Sequence, residues 1–321
     1  MFKDNKLAAL LGTRYPILGG TMMDLSMAPF VTAISKAGAL GVIASVIYKE
    51  YDHFRDDLKA VKDATDSPFA VNINLFPMME KLDNLRYLEI MAEEGVKIVE
   101  TSGFAPPEEL LAKFKEYGLT WLHKCVGVRY AKKAAQLGAD AVIVVGYENG
   151  GATGNLNITT LVLVPRTVDE VDVPVVGGGG VMDGRTMVAV MALGASGVIV
   201  GTRLMLSEEC PIHPDLKQAL LQANELDTDI IMRSVGFAHR IWMNSRAKEA
   251  QQIEQGGGGI AELYPHVSGE AAREMYKTGD LDAGTVSCSQ GIALAKEIKP
   301  VEDIIAEMVA DAEAIAGRLG G

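Results

Sequence analysis

The chain has 321 residues, 48% of them apolar, and a formal net charge of −12. That length suits an α/β barrel with or without an added lobe, and the apolar content leaves no segment disordered by composition. The acidic balance argues against nucleic acid or an anionic membrane as the main partner, and no apolar run reaches the ~18–20 residues that span a bilayer.

The N-terminal MFKDNKLAALLGTRYP has no charged-then-apolar signal pattern, so a soluble, cytoplasmic protein is expected. From residue 16 to about 206 two textures alternate. Short β-rich runs are PILGG (16–20), LGVIASV (40–46), FAVNINLF (69–76), VKIVETS (96–102), TWLHKCV (120–126), DAVIVVG (140–146), VPVVGGGG (173–180) and SGVIVGT (196–202). Between them lie amphipathic stretches of helical period, such as PEELLAKFKEYG and VRYAKKAAQLGA. Strands alternating with helices imply a parallel sheet, and eight such units predict a closed (β/α)8 TIM barrel. Several helices end in Leu-Gly or Ala-Gly, where glycine suits a left-handed C-cap.

After Thr202 the rhythm breaks. PDLKQALLQANELDTDIIMRS reads as a polar helix, and the stretch from Gly236 to Asp280 has no strand–helix alternation. PVEDIIAEMVADAEAIAGRL starts at a proline and reads as the eighth barrel helix. The expected organisation is a barrel of residues 1–206 plus 298–321, with a mostly helical lid of residues 207–297 over its C-terminal face. Such a lobe offers a surface for a homodimer.

The strongest chemical signal is a pair of glycine turns, VVGGGGVMDGR (175–185) and VIVGTR (198–203), after the seventh and eighth strands. Those two loops form the phosphate site of many (β/α)8 enzymes, where glycine N–H groups and a helix N-terminus face the anion. Gly201 and Thr202 add N–H groups and a hydroxyl. The pair marks a phosphate without saying which molecule carries it.

Further signals sit at other strand ends. Asn72 and Asn74 fall two apart, so they share a face, either satisfied in the core or bonded to a heterocycle's edge. In HKC (123–125), Lys124 points opposite to His123 and Cys125, and a lysine on a buried strand end needs an anion or a polarised carbonyl. LGGTMMDLS (18–26) offers Gly19, Gly20 and Thr21 to a flat ligand, with Met22 and Met23 as packing and Asp24 near a helix N-cap. YENGGATGN (147–155) is a glycine-rich loop without histidine, cysteine or lysine. Cys125, Cys210 and Cys288 match no zinc or disulfide spacing and are expected to be reduced. His53, His123, His213, His239 and His266 form no metal pair, and no G-x-S-x-G elbow is present.

Taken together, PFAVNINLFP, IVETSG, HKC, GGGGVMDGR, GTRLMLSEECPIHP and DTDIIMRS resemble the nitronate monooxygenase (2-nitropropane dioxygenase) family. That family includes NADH:quinone reductases and a class of enoyl reductases, and this sequence looks most like the bacterial NADH:quinone reductase branch. The resemblance implies a barrel holding non-covalent FMN at its C-terminal face. Gly19, Gly20 and Thr21 would line the flavin ring, and Asn72 and Lys124 would contact the ring or the ribityl chain. Gly178, Gly179, Gly180, Gly201 and Thr202 would surround the phosphate, and Gly151 and Gln290 would reach the flavin. Lys124 would stabilise an anionic reduced flavin.

Relatives usually carry a histidine where this loop has Ala152, and alanine neither transfers a proton nor stabilises an anion. Thr153, Tyr147 or Glu148 are the loop's remaining candidates for that role. Many relatives also have glutamine at Leu18, and TVSCSQGI (285–292) looks shorter than their segment before the last helix. The expected activity is reduction of a quinone or an activated alkene by NADH or NADPH through FMN, because hydride transfer needs stacking more than a protein base. The alternatives are a nitronate monooxygenase using O2, a flavin-free barrel enzyme on a phosphorylated substrate, and a flavin-binding isomerase or non-catalytic flavoprotein.

Overall fold

The computed structural model describes residues 2, 4–76, 82–103 and 105–319; Pro77, which ends the asparagine motif, lies outside them. Eight parallel strands form one sheet: β1 (Ile17–Gly19), β2 (Gly41–Ala44), β3 (Phe69–Asn74), β4 (Ile98–Ser102), β5 (Thr120–Cys125), β6 (Ala141–Val145), β8 (Val175–Gly178) and β9 (Gly197–Val200). The short β7 (Gly151–Ala152) lies outside the barrel. β1 pairs with β9, and a parallel bridge Leu18↔Leu40 closes the ring. There the Gly19 N–H donates to the Leu40 carbonyl at 2.9 Å and the Leu40 N–H to the Ile17 carbonyl at 2.9 Å.

Period-two alternation explains the two cores. Leu18, Leu40, Val42, Ala70, Ile98, Leu122 and Ile143 fill the barrel interior, whereas Val71, Ile73, Val99, Trp121, Val142 and Val144 pack outward against helices. Those helices are α2 (Ala28–Lys36), α3 (Tyr51–Ala64), α4 (Asn84–Glu93), α5 (Leu111–Tyr117), α6 (Val128–Gln136), α7 (Thr160–Val168) and α8 (Gly184–Ala192). In α3, Phe54, Leu58 and Val61 recur at helical spacing and are fully buried. Glycine permits a close approach of helix to strand at Gly41, where a Cβ would stand 2.4 Å from the Val31 carbonyl oxygen. Before β1, α1 (Lys6–Leu11) sends Leu7 and Leu11 into the barrel-interior cluster from the N-terminal end.

After β9 comes the single turn α9 (Thr202–Met205), then α10 (Pro214–Leu221), β10 (Thr228–Ile231), β11 (His239–Trp242), α11 (Ser245–Gln255), α12 (Ile260–Val267) and α13 (Gly269–Thr278). The inserted stretch leaves and returns at one place, since Ser207 bridges Lys299 and the Glu208 N–H donates to the Lys299 carbonyl. α14 (Val301–Leu319) follows and packs against α8 and α2, as the eighth barrel helix should.

Two of the expectations differ from the structure. The helix expected to run through IIMRS stops at Leu221, and Thr228–Ile231 is a strand. β10, β11 and β7 form a three-stranded antiparallel sheet. Strands of four residues amid polar sequence give too short an alternation to compete with helical periodicity. Asp24 does not cap α2, whose N-cap is Met27; it adopts φ 62° and pairs with Arg273 of α13 at 3.1 Å, tying the β1 turn to the inserted stretch.

His123 sits among the outward-facing residues and is fully buried. Its Nδ1 lies 2.9 Å from Thr101 Oγ1, which also accepts from Trp121 Nε1, while Nε2 has no partner. Burial lowers its pKa from 6.5 to about 4. The unfolded chain therefore takes up this proton below pH 6.5 and the folded chain only near 4. The resulting stability is complete above pH 6.5, falls with pH down to about 4, and then levels off. Across that window wild type should lose about 3 kcal/mol more than His123→Gln. Urea denaturation at pH 7.5, 6, 5 and 4 measures the difference, and equal losses would remove His123 as its source.

Candidate active site

The C-terminal ends of the barrel strands gather the polar groups. Asn72 of β3 is buried, and its Nδ2 donates to Ser102 Oγ of β4 at 3.0 Å. Asn74 does not join it: its Oδ1 accepts from the Phe76 N–H at 3.2 Å and shapes the turn after β3. Lys124 does point into the barrel, and it meets an anion there. Its Nζ lies 2.6 Å from Oε1 of Glu100, an ion pair that does not meet hydrogen-bond geometry. Glu100 is 1% exposed, and its Oε2 accepts from Thr21 Oγ1 at 2.5 Å.

Thus Thr21, Glu100 and Lys124 form one chain across three strand ends, and the anion that Lys124 faces is the carboxylate of Glu100. Glu100 was not singled out from the sequence. Its signal is its place two residues from Ser102 and Ile98 on the inward face of β4.

The four glycines at 177–180 do different work. A Cβ on Gly177 would strike Val190 and Val164 of the covering helices, and one on Gly178 would strike Ile199 at 2.4 Å, so both serve close packing. Gly179 and Gly180 turn the chain with φ 100° and 75°. A Cβ on Gly179 would stand 2.7 Å from Thr160 Oγ1 and 3.0 Å from the Gly146 nitrogen. A Cβ on Gly180 would touch only Glu148, at 3.6 Å, and one on Gly201 would meet open space.

Among the described residues, the N–H groups of Gly180 and Gly201 have no protein acceptor. These open, unspent donors on adjacent turns fit an anion such as a phosphate. The N-terminus of α8 is not part of the cradle, because the Asp183 carboxylate caps it, accepting from the Thr186 N–H at 2.9 Å. The Cβ position of Gly19 faces Ile34 of α2 at 2.9 Å, so the absence of a side chain there serves close packing of helix on strand. A Cβ on Gly20 would come within 3.1 Å of Gly201 Cα, so the first and eighth turns touch through glycine backbone.

The segment after α13 lies over this cradle. Thr202 Oγ1 accepts from the Ser289 N–H at 3.0 Å. The Glu148 carbonyl accepts from Ser289 Oγ at 2.6 Å and from the Gln290 N–H at 3.1 Å. A Cβ on Gly291 would come within 3.2 Å of Gly180 Cα.

In the loop after β6, none of the three polar candidates stands free. The Glu148 carboxylate accepts from the Thr160 N–H and hydroxyl at the start of α7. Thr153 is buried and its hydroxyl faces the Ala238 and Gly154 carbonyls. The Tyr147 ring is stacked on the Arg240 guanidinium, 4.6 Å from its centroid. Gly151, at φ 84°, and Ala152 form β7 and pair with Arg240 and His239 of β11.

A model of the nitronate monooxygenase family matches residues 4–311. The chain belongs to the nitronate monooxygenase family. This is a family of flavin enzymes. One relative is the (3aS,4S,5R,7aS)-5-hydroxy-7a-methyl-1-oxo-octahydro-1H-indene-4-carboxyl-CoA dehydrogenase of Rhodococcus jostii (strain RHA1), 34% identical over 235 residues. The match covers 73% of this chain and 64% of that protein. Among solved structures, FabK from Thermotoga maritima superimposes with a TM-score of 0.91 at 30% identity over 99% of both chains. A nitroalkane oxidase from Streptomyces ansochromogenes shares the barrel fold, with a TM-score of 0.84 at 22% identity over 97% of this chain and 99% of that one.

This member of the nitronate monooxygenase family has paired glycine turns with open N–H groups and no side-chain base at Ala152. No group of histidine, cysteine, aspartate and glutamate suited to a metal occurs among the described residues. The three cysteines are free and buried, and burial raises each thiol to about 12, so none is a ready nucleophile.

Proposed function

We propose that the protein is an FMN-dependent oxidoreductase that passes a hydride from NADH or NADPH to a quinone or an activated alkene. The observation that carries this reading is the open cradle of Gly180 and Gly201 beside the Thr21–Glu100–Lys124 chain. The turn N–H groups would hold the phosphate of FMN, and Gly20, Thr21 and Asn72 would border its ring. When bound, FMN supplies hydride transfer, chemistry that needs orientation and exclusion of water more than a protein base at residue 152. The CoA-thioester dehydrogenase relative supports a substrate activated by a carbonyl.

Nitronate oxidation is the second reading, favoured by the family model itself. A substrate supplied as the anionic nitronate needs no deprotonation, so Ala152 does not exclude it.

The test is anaerobic. The purified, FMN-loaded protein should lose its flavin absorbance when NADH or NADPH is added. No bleaching by either nucleotide, with bleaching by a nitronate, would replace the first reading by the second. A protein that takes up no FMN would sink both.

A further inference from the structure

The loop after β6 lacks a base of its own, yet an imidazole stands directly across from it. His239 of β11 is the register partner of Ala152 in the antiparallel ladder. Residues opposite one another in such a ladder share a face, with Cβ atoms about 4.5–5.5 Å apart. The ring also lies against the neighbouring position of the loop: a Cβ on Gly151 would stand 3.7 Å from His239 Cε1 and 3.5 Å from Ser287 Oγ.

The ring is held from behind. His239 Nε2 lies 2.9 Å from Ser287 Oγ, and Nδ1 has no protein partner among the described residues. His239 is only partly buried, whereas its neighbour Arg240 is 1% exposed and fixes β11 to the Tyr147 carbonyl at 3.2 Å. An anchored strand thus presents one oriented imidazole beside the loop.

We propose that His239 is the proton-transfer residue of this site, acting on a carbon acid, a substrate C–H beside a carbonyl or nitro group. This rests on the oxidoreductase reading above and narrows its substrate class away from quinones. With Nε2–H donating to Ser287 Oγ, the lone pair lies on Nδ1. The substrate C–H bond breaks and its proton bonds to Nδ1. The electron pair stays on the carbon and spreads onto the carbonyl or nitro oxygen. The reverse step returns the proton, so no oxidant or reductant is consumed. Burial keeps the imidazole neutral at neutral pH, and the anion forming beside it favours the imidazolium.

The measurement is deuterium uptake from D2O, followed by proton NMR. The FMN-loaded protein is used without oxygen, so the flavin can consume only one equivalent of substrate. Nitroethane and butyryl-CoA are the two probes. Wild type should exchange the α-protons of at least one of them, and which one exchanges tells the nitro from the thioester class. His239→Gln should slow that exchange by about 100-fold or more. Ala152→His combined with His239→Ala should recover a large part of it by returning an imidazole to the same space. His239→Asn carries the same test should His239→Gln not fold. Exchange within twofold of wild type in either folded variant overturns the proposal, as does a wild type that exchanges neither probe. In that last case, bleaching by NADH or NADPH shows whether the oxidoreductase reading survives alone.

Discussion

Gly179→Val is expected to lower stability by about 2–6 kcal/mol, because it adds two separate costs. A β-branched residue at φ 100° is strained on its own account. Its Cβ would also meet Thr160 Oγ1 at 2.7 Å and the Gly146 nitrogen and oxygen at 3.0 and 3.1 Å, two of them backbone atoms that cannot swing away. The turn would have to move, and Gly180 would move with it. FMN affinity should then fall by about tenfold or more, each tenfold corresponding to about 1.4 kcal/mol. Urea denaturation and flavin-fluorescence titration measure the two effects. Gly118→Val is the control, since Gly118 has φ 61° but nothing within 4 Å. Equal destabilisation of the two variants would show that backbone strain alone is being measured.

Glu100→Leu should have an effect of similar size by another route. It leaves Lys124, whose side chain is 18% exposed, facing the barrel interior without its anion. Breaking a buried pair by removing one partner typically costs about 3–5 kcal/mol, and the partial exposure of Lys124 reduces this to about 2–4 kcal/mol. Removing both charges is a different matter. Glu100→Leu with Lys124→Met should regain most of the loss, because apolar residues of similar volume replace such pairs at little net cost. Chemical denaturation of the single and double variants closes the cycle. A double variant no more stable than Glu100→Leu would mean that the carboxylate matters through Thr21 rather than through Lys124.

The barrel was legible in the sequence because eight β-rich runs each leave their outward residues to a helix of matching period. The glycine turns were legible because Gly179, Gly180 and Gly201 follow apolar strands at two successive units. What each glycine does was not legible. Gly19, Gly177 and Gly178 look like Gly180 in sequence, and only the surrounding atoms show that the first three serve packing.

Glu100 was hidden in an apolar run, where one acid reads as tolerated polarity. Its partner lies on the adjacent strand, a contact that periodicity does not specify. His239 was visible only as one of five histidines. Its meaning depends on a pairing between residues 152 and 239, set by the register of β11 against a two-residue strand. The helix N-terminus expected to help at the first glycine turn was pre-empted by its own capping residue, Asp183.

The N-terminal helix α1 carries a kinetic meaning beyond its packing. Leu7 and Leu11 join the residues that fill the barrel from below, so among the described residues that end is closed by packing and the polar strand ends open at the other. For the proposed oxidoreductase, an electron donor and an electron acceptor that both need the same flavin face would use that mouth by turns. The first product would then leave before the second reactant arrives, which is the ordering of a ping-pong cycle. A stopper of two leucines at the far end of the barrel would thereby help set the sequence of events in the proposed reaction.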